Sequence, residues 1–150
     1  MTMPTLLNTP APTALVLGLT GGYGHAMAAE LLRAGYTLRA LVRDLGRGRT
    51  AAATLSGPVE LVQGDMLDRD RLIEAARGCD VLVHGANAPY DKWESIVVNA
   101  GRNVADAAAA HGATILFPGN VYTYAPGVDL DEDTPEHPVA RKGQLRVELE

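Results

Sequence analysis

The residues best suited to chemistry are three evenly spaced glycines, in the stretch Gly18-Leu19-Thr20-Gly21-Gly22-Tyr23-Gly24. Without a Cβ, the chain can turn sharply there and approach a ligand closely. The stretch lies between an apolar run and a helical pattern. That helix would aim its free N–H groups and the positive end of its dipole at an anion, above all a diphosphate. The third glycine, Gly24, would let helix and strand pack together. The spacing is G-x-x-G-x-x-G, not the G-x-G-x-x-G of the dehydrogenase fingerprint, and no P-loop lysine follows it, which argues against a nucleotide triphosphatase. The plainer alternative is a glycine-rich turn with no ligand.

Other reactive side chains are scattered. His25 follows the loop and is either a donor to a bound pyrophosphate or an exposed helix-start residue. His84 ends an apolar run and reads as a satisfied structural residue. Trp93 lies one helical turn from Val97 and reads as packing. No spacing of His, Cys, Asp or Glu suits a metal. The single cysteine, Cys79, excludes an internal disulfide and fits a reducing, cytoplasmic compartment. With a formal net charge of -5, no basic surface invites nucleic acid. The acidic cluster Asp129, Asp131, Glu132, Asp133 and Glu136 reads as a solvated loop. No apolar run approaches the roughly 18 residues that would span a membrane.

The elements that must position these residues alternate along the chain. Short apolar runs at Thr13 to Gly18, Thr37 to Val42, Val59 to Gln63, Asp80 to His84 and Ala113 to Phe117 read as strands, the first a continuous run as expected for a strand buried on both faces. Helical patterns fall at Gly22 to Ala34, Leu45 to Leu55, Arg69 to Arg77 (capped by Asp68) and Lys92 to His111. A last helix begins near Val139 and is still running at Glu150. Repeated strand–helix–strand units predict an α/β fold. It is a three-layer αβα sandwich around a doubly wound parallel sheet of order 3-2-1-4-5. A ligand is expected across the carboxyl ends of strands one and four, where the order reverses. Residues 1–12 read as a flexible tail, and 13–150 as one nucleotide-binding domain that stops before a substrate-binding part.

Five segments together resemble the extended and atypical short-chain dehydrogenases/reductases, in particular the NAD-dependent epimerase/dehydratase family. They are the glycine loop; Gly64-Asp65-Met66 after the third strand; His84-Gly85-Ala86-Asn87 after the fourth; Val98-Asn99-Ala100-Gly101-Arg102-Asn103-Val104; and Phe117-Pro118-Gly119-Asn120-Val121-Tyr122. The resemblance implies a Rossmann fold that binds a nicotinamide dinucleotide. It implies contacts from Gly18, Thr20, Gly21, Gly22, Tyr23 and Gly24, with Asp65 and Met66 at the adenine. Gly85, Ala86, Asn87, Asn99 and Pro118 would line or organise the rest.

In the family, residues ending the second strand read the adenosine ribose. An acid there bonds the 2′-hydroxyl, whereas an arginine pairs with a 2′-phosphate. Here Val42 stands in the acid's place and Arg43 follows, which favours NADP. If Asp44 serves the ribose instead, the cofactor is NAD. Arg47 and Arg49 either reinforce a phosphate site or are solvated. The family's Ser/Thr, Tyr and Lys slots fall on Pro118, Lys142 and Arg146, so all three depart from the pattern. Two replacements are open: Lys142 as an acid, or Tyr122 or Tyr124 from the loop. Otherwise Lys142 and Arg146 are solvent-facing and Tyr122 merely packs.

Three functions remain in view. One is an NAD(P)-dependent oxidoreductase or epimerase, acting by hydride transfer with atypical acid–base residues. Another is a non-catalytic dinucleotide sensor. The third is an α/β domain with an unrelated ligand. The expected partner is a small-molecule substrate of unspecified class, with a homodimer left open.

Overall fold

The computed structural model describes residues 10–150. Most of the expected tail, residues 1–9, lies outside the described residues. Pro10, Ala11 and Pro12 are exposed and irregular. Five parallel strands follow: β1 (Thr13–Leu17), β2 (Thr37–Val42), β3 (Val59–Gln63), β4 (Val81–His84) and β5 (Thr114–Leu116). Between and after them run α1 (Gly22–Arg33), α2 (Leu45–Ala52), α3 (Arg69–Ala75), α4 (Trp93–His111) and α5 (Arg141–Leu149). The sheet order is β3-β2-β1-β4-β5, as the alternation requires.

The pleat of β1 shows why its apolar run is continuous. Leu15 and Leu17 point to one face, where they pack with Leu72 of α3 and with Val104 and Ala107 of α4. Ala14 and Val16 point to the other, against Ala28 and Leu31 of α1. Both faces are covered, so every position must be apolar. Leu15, Leu17, Leu38, Leu72 and Leu82 are almost wholly buried. Each such leucine contributes about 1.5–3 kcal/mol of transfer free energy.

Several boundaries move, each for a local reason. Gly18 leaves β1 because its φ of +83° turns the chain. The last helix starts at Arg141 rather than Val139, since Ala140 is extended (φ -132°, ψ 157°). Asp80 is not a strand residue; its Oδ2 accepts from the Thr13 N–H at 2.8 Å. Asp68 caps α3 as expected, accepting from the Arg71 N–H. Trp93 is buried with Val97 and Leu145 in a small cluster that joins α4 to α5.

Two glycines let α5 settle. A Cβ on Gly101 of α4 would strike the Leu149 side chain, and one on Gly143 would strike the Tyr122 carbonyl. Neither site has room for more than hydrogen, so α5 lies against α4 and against the loop after β5.

Candidate functional site

Strand order reverses between β1 and β4, and the loops leaving their carboxyl ends diverge there. A cleft of about 370 Å³ opens at that place. Its walls come from the ends of four strands: Gly18 to Gly21, Val42 to Asp44, Gly64 to Leu67, and Gly85 to Pro89. Lys92 and Ile96 close one side. Of the residues singled out from the sequence, it brings together Gly18, Thr20, Gly21, Arg43, Asp65, Met66, Gly85, Ala86 and Asn87. Gly22, Tyr23, Gly24 and Asn99 are not among its walls.

The three loop glycines do different work. At Gly18 a Cβ would lie 2.5 Å from the Gly85 carbonyl carbon, so the β1 and β4 loops touch backbone to backbone. At Gly24 a Cβ would run into the Gly18 carbonyl, so α1 can cross β1 only with glycine there. Gly21 is different. It has extended backbone (φ -103°, ψ 161°), and a Cβ would meet only the Gly18 oxygen, at 3.4 Å. The protein itself does not need a glycine at 21, but a ligand lying against the cleft wall would. The α1 N-terminus has no side-chain cap, and its first turn holds no acid. The amides of Gly22, Tyr23 and Gly24 precede the first helical bond, His25 N–H to Gly21 O. This is a fitting cradle for a diphosphate.

At the end of β2, Arg43 and Arg47 both line the cleft, and Arg43 is exposed. Asp44 lines it too, but its Oδ1 accepts from the Arg47 N–H at 3.0 Å and caps α2. That backbone hydrogen bond holds the Asp44 carboxyl below its ordinary pKa. Asp65 accepts from the Leu67 N–H and so folds its own loop. That loop is held from beneath by Asn103, whose Nδ2 donates to the carbonyls of Met66 and Leu67 at 3.0 and 3.1 Å. The sequence pointed to Asn99, which is exposed. Asn103 is the buried amide, and its signal was legible as a polar residue on the apolar stripe of α4.

His25 fits neither expectation, because its Nε2 is hydrogen-bonded to Thr54 Oγ1 at 2.7 Å, away from the phosphate cradle. Lys142 is half-buried, with its ammonium 3.7 Å from the centre of the Tyr90 ring. Tyr90 stacks on Trp93 and shares a 2.6 Å hydrogen bond with the Tyr122 hydroxyl. That bond raises the Tyr90 pKa above its ordinary value. Tyr90, missed in the sequence, brings Tyr122 and Lys142 into one cluster beside Pro89 and Lys92 of the cleft. Tyr124 is half-buried outside this cluster. Arg146 is not solvent-facing but 6% exposed. Its Nη2 donates to the Pro118 carbonyl at 2.7 Å, and its guanidinium lies 4.5 Å from the Phe117 ring centre.

A smaller cavity, about 70 Å³, continues from the cleft and shares Met66, Gly85 to Ala88 and Ile96 with it. Pro118, His84 and Arg146 stand on its far wall. His84 is buried, but no group among the described residues hydrogen-bonds its ring, contrary to the reading of a satisfied residue. Burial, aided by the nearby Arg146 charge, pushes its pKa down to about 4. The unfolded chain therefore takes up a proton below about pH 6.5 that the folded chain refuses until about pH 4. Stability is expected to fall across that window by roughly 3 kcal/mol on account of this one group. Denaturation at pH 7 and pH 4.5 should show a larger loss for the natural chain than for His84→Gln. Equal losses would exclude His84 as the cause.

Among the described residues no group of three or more His, Cys, Asp or Glu could hold a metal, and no helix is long and apolar enough to cross a membrane.

The comparisons agree with this geometry. The model of the NmrA-like family matches residues 10–136. The chain is 32% identical to a dTDP-6-deoxy-L-talose 4-dehydrogenase (NAD(P)(+)) from Kitasatospora kifunensis, over 98% of this chain and 47% of that protein. It is 36% identical to an isoflavone reductase homolog from Zea mays, over 78% of this chain and 36% of that protein. A solved structure of a uronate dehydrogenase variant from Agrobacterium tumefaciens complexed with NAD is 25% identical, with a TM-score of 0.70. That match covers 93% of this chain and 53% of the other. The chain thus spans less than half the length of these two curated relatives.

Proposed function

The chain belongs to the NmrA-like family, and from that premise we propose that it binds NADP across the carboxyl ends of β1 and β4 and serves an oxidoreductase or epimerase. The observation that carries this is Gly21, a glycine the fold does not require, on the wall of a cleft beside an uncapped helix N-terminus. The dehydrogenase relatives support the same class. When bound, the dinucleotide supplies the hydride. The chain's residues bind it and manage the proton. The Tyr122 and Tyr90 hydroxyls share a 2.6 Å hydrogen bond, which raises the Tyr90 pKa and so opposes loss of its proton. That pair is the chain's proton source for a substrate oxygen, with the Lys142 ammonium against the Tyr90 ring to stabilise the phenolate left behind.

NADP is preferred to NAD because Asp44 is engaged in capping α2, whereas Arg43 and Arg47 line the cleft with no salt-bridge partner among the described residues. Arg43→Ala should weaken NADPH binding by about tenfold or more and leave NADH nearly unchanged, since a charge-assisted bond contributes about 1.5–3 kcal/mol. Calorimetric titration with each dinucleotide measures this. Equal losses would remove Arg43 from the phosphate site, and no binding of either would end the proposal.

A sensor that binds without turnover is the second reading, and one observation favours it. The family's hydroxyl slot holds Pro118, which has no proton to give. NADPH consumption with a panel of carbonyl compounds separates the two readings.

A further inference from the structure

Two of the four buried polar or charged residues among those described line the inner cavity: His84 and Arg146, each 6% exposed. Burying such groups is costly unless their hydrogen-bonding capacity is used. Arg146 uses part of it. Its Nε donates to Glu150 Oε1 at 2.9 Å, and Nη2 donates to Glu150 Oε1 and the Pro118 carbonyl. Its Nη1 and both His84 ring nitrogens have no partner among the described residues. Yet no side-chain nitrogen among the described residues is both sealed off and unpartnered. These atoms are therefore not sealed off, and both residues line the cavity.

The remaining walls are largely apolar: Met66, Ile96, Val97, Ala100, Phe117 and Leu149. The polar groups that His84 and Arg146 can bring to the void are the imidazole and the Arg146 Nη1 edge, within a mainly apolar shell. The Arg146 charge is paired with Glu150 through Nε and Nη2, which leaves Nη1 without a partner among the described residues. A guanidinium edge suits two oxygens on one carbon. About 70 Å³ is several times what a water needs, and too little for a large ring substituent.

We propose that this cavity is a subsite for a small carboxylate, held by Arg146 Nη1 and the His84 ring. Resting on the dinucleotide reading above, it names the substrate class: a short carbonyl compound bearing a carboxylate, whose carbonyl end reaches the shared wall at Gly85 to Ala88. Binding is coupled to a proton. Arg146, and Glu150 through it, are the charged groups facing His84; no other charged side chain lines the cavity. A carboxylate arriving there places a negative charge beside the imidazole and favours the imidazolium.

The test uses acetate as probe on the 150-residue chain, with histidine ring signals followed by NMR at pH 7 and pH 5.5, with and without saturating NADPH. The expected result is a saturable shift of the His84 ring and several-fold tighter binding at pH 5.5. The response should persist with NADPH present. His84→Gln should bind acetate more weakly and without the pH dependence, and Arg146→Lys should bind it at least about tenfold more weakly. Should Arg146→Lys fail to fold, His84→Gln alone decides. An unmoved His84 ring, an affinity indifferent to pH, or displacement of acetate by NADPH would each overturn the subsite. NADPH binding without acetate binding sinks this inference alone. Acetate binding without NADPH binding sinks the dinucleotide reading and leaves a carboxylate site.

Discussion

Gly21→Val is expected to abolish dinucleotide binding, a loss of at least about 100-fold, while the chain remains folded. A hundredfold is about 2.8 kcal/mol, within reach of a branched side chain placed where the pyrophosphate must approach the helix amides. The backbone at Gly21 is extended, and a Cβ there meets no protein group closer than 3.4 Å. Nothing in the fold should object. Calorimetry with NADPH and a thermal melt give both halves of the result. Retained affinity would show that the cleft wall is not the phosphate site. A collapsed melt would show that Gly21 belongs to the fold after all.

Gly24→Ala should do the reverse. A methyl group there runs into the carbonyl of Gly18, which is itself pinned against Gly85. Helix α1 must lift from β1, and its packing through Ala28 and Leu31 goes with it. Overpacking of a tight backbone crossing costs about 1–3 kcal/mol or more. For a domain this small, that is a sizeable part of the total. The melting temperature should drop by several degrees, with ligand binding recovering only to the extent that NADPH refolds the chain. An unchanged melt would mean that α1 and β1 are less closely packed than described.

How much of this could be read in advance depended on whether the cause was local. The five strands follow from their short apolar runs, buried on both faces in β1 and β4, a property of each run alone. The glycine loop, the Asp68 cap and the burial of Trp93 were legible for the same reason. Most of the misread side chains have partners distant in sequence. His25 is engaged by Thr54, 29 residues away. Arg146 is buried because the Pro118 carbonyl and the Phe117 ring receive it. Tyr90 gains meaning only when α5 brings Lys142 over its ring. Asn103 lies between: its place on the buried face of α4 was visible, but the carbonyls it serves were not.

The backbone contact among Gly18, Gly24 and Gly85 has a consequence for how relatives of this chain should be compared. These three glycines answer to one another, so selection for folding alone will preserve them, and a change at one will be tolerated only with movement at the others. Their presence in a diverged homologue is therefore a record of architecture. It carries no information on whether that homologue still has a ligand. Gly21 is under no such obligation. If Gly21 serves only the ligand, a lineage that has abandoned its cofactor leaves it free to drift while its neighbours stay fixed, and that single position is then more telling than the glycine motif as a whole.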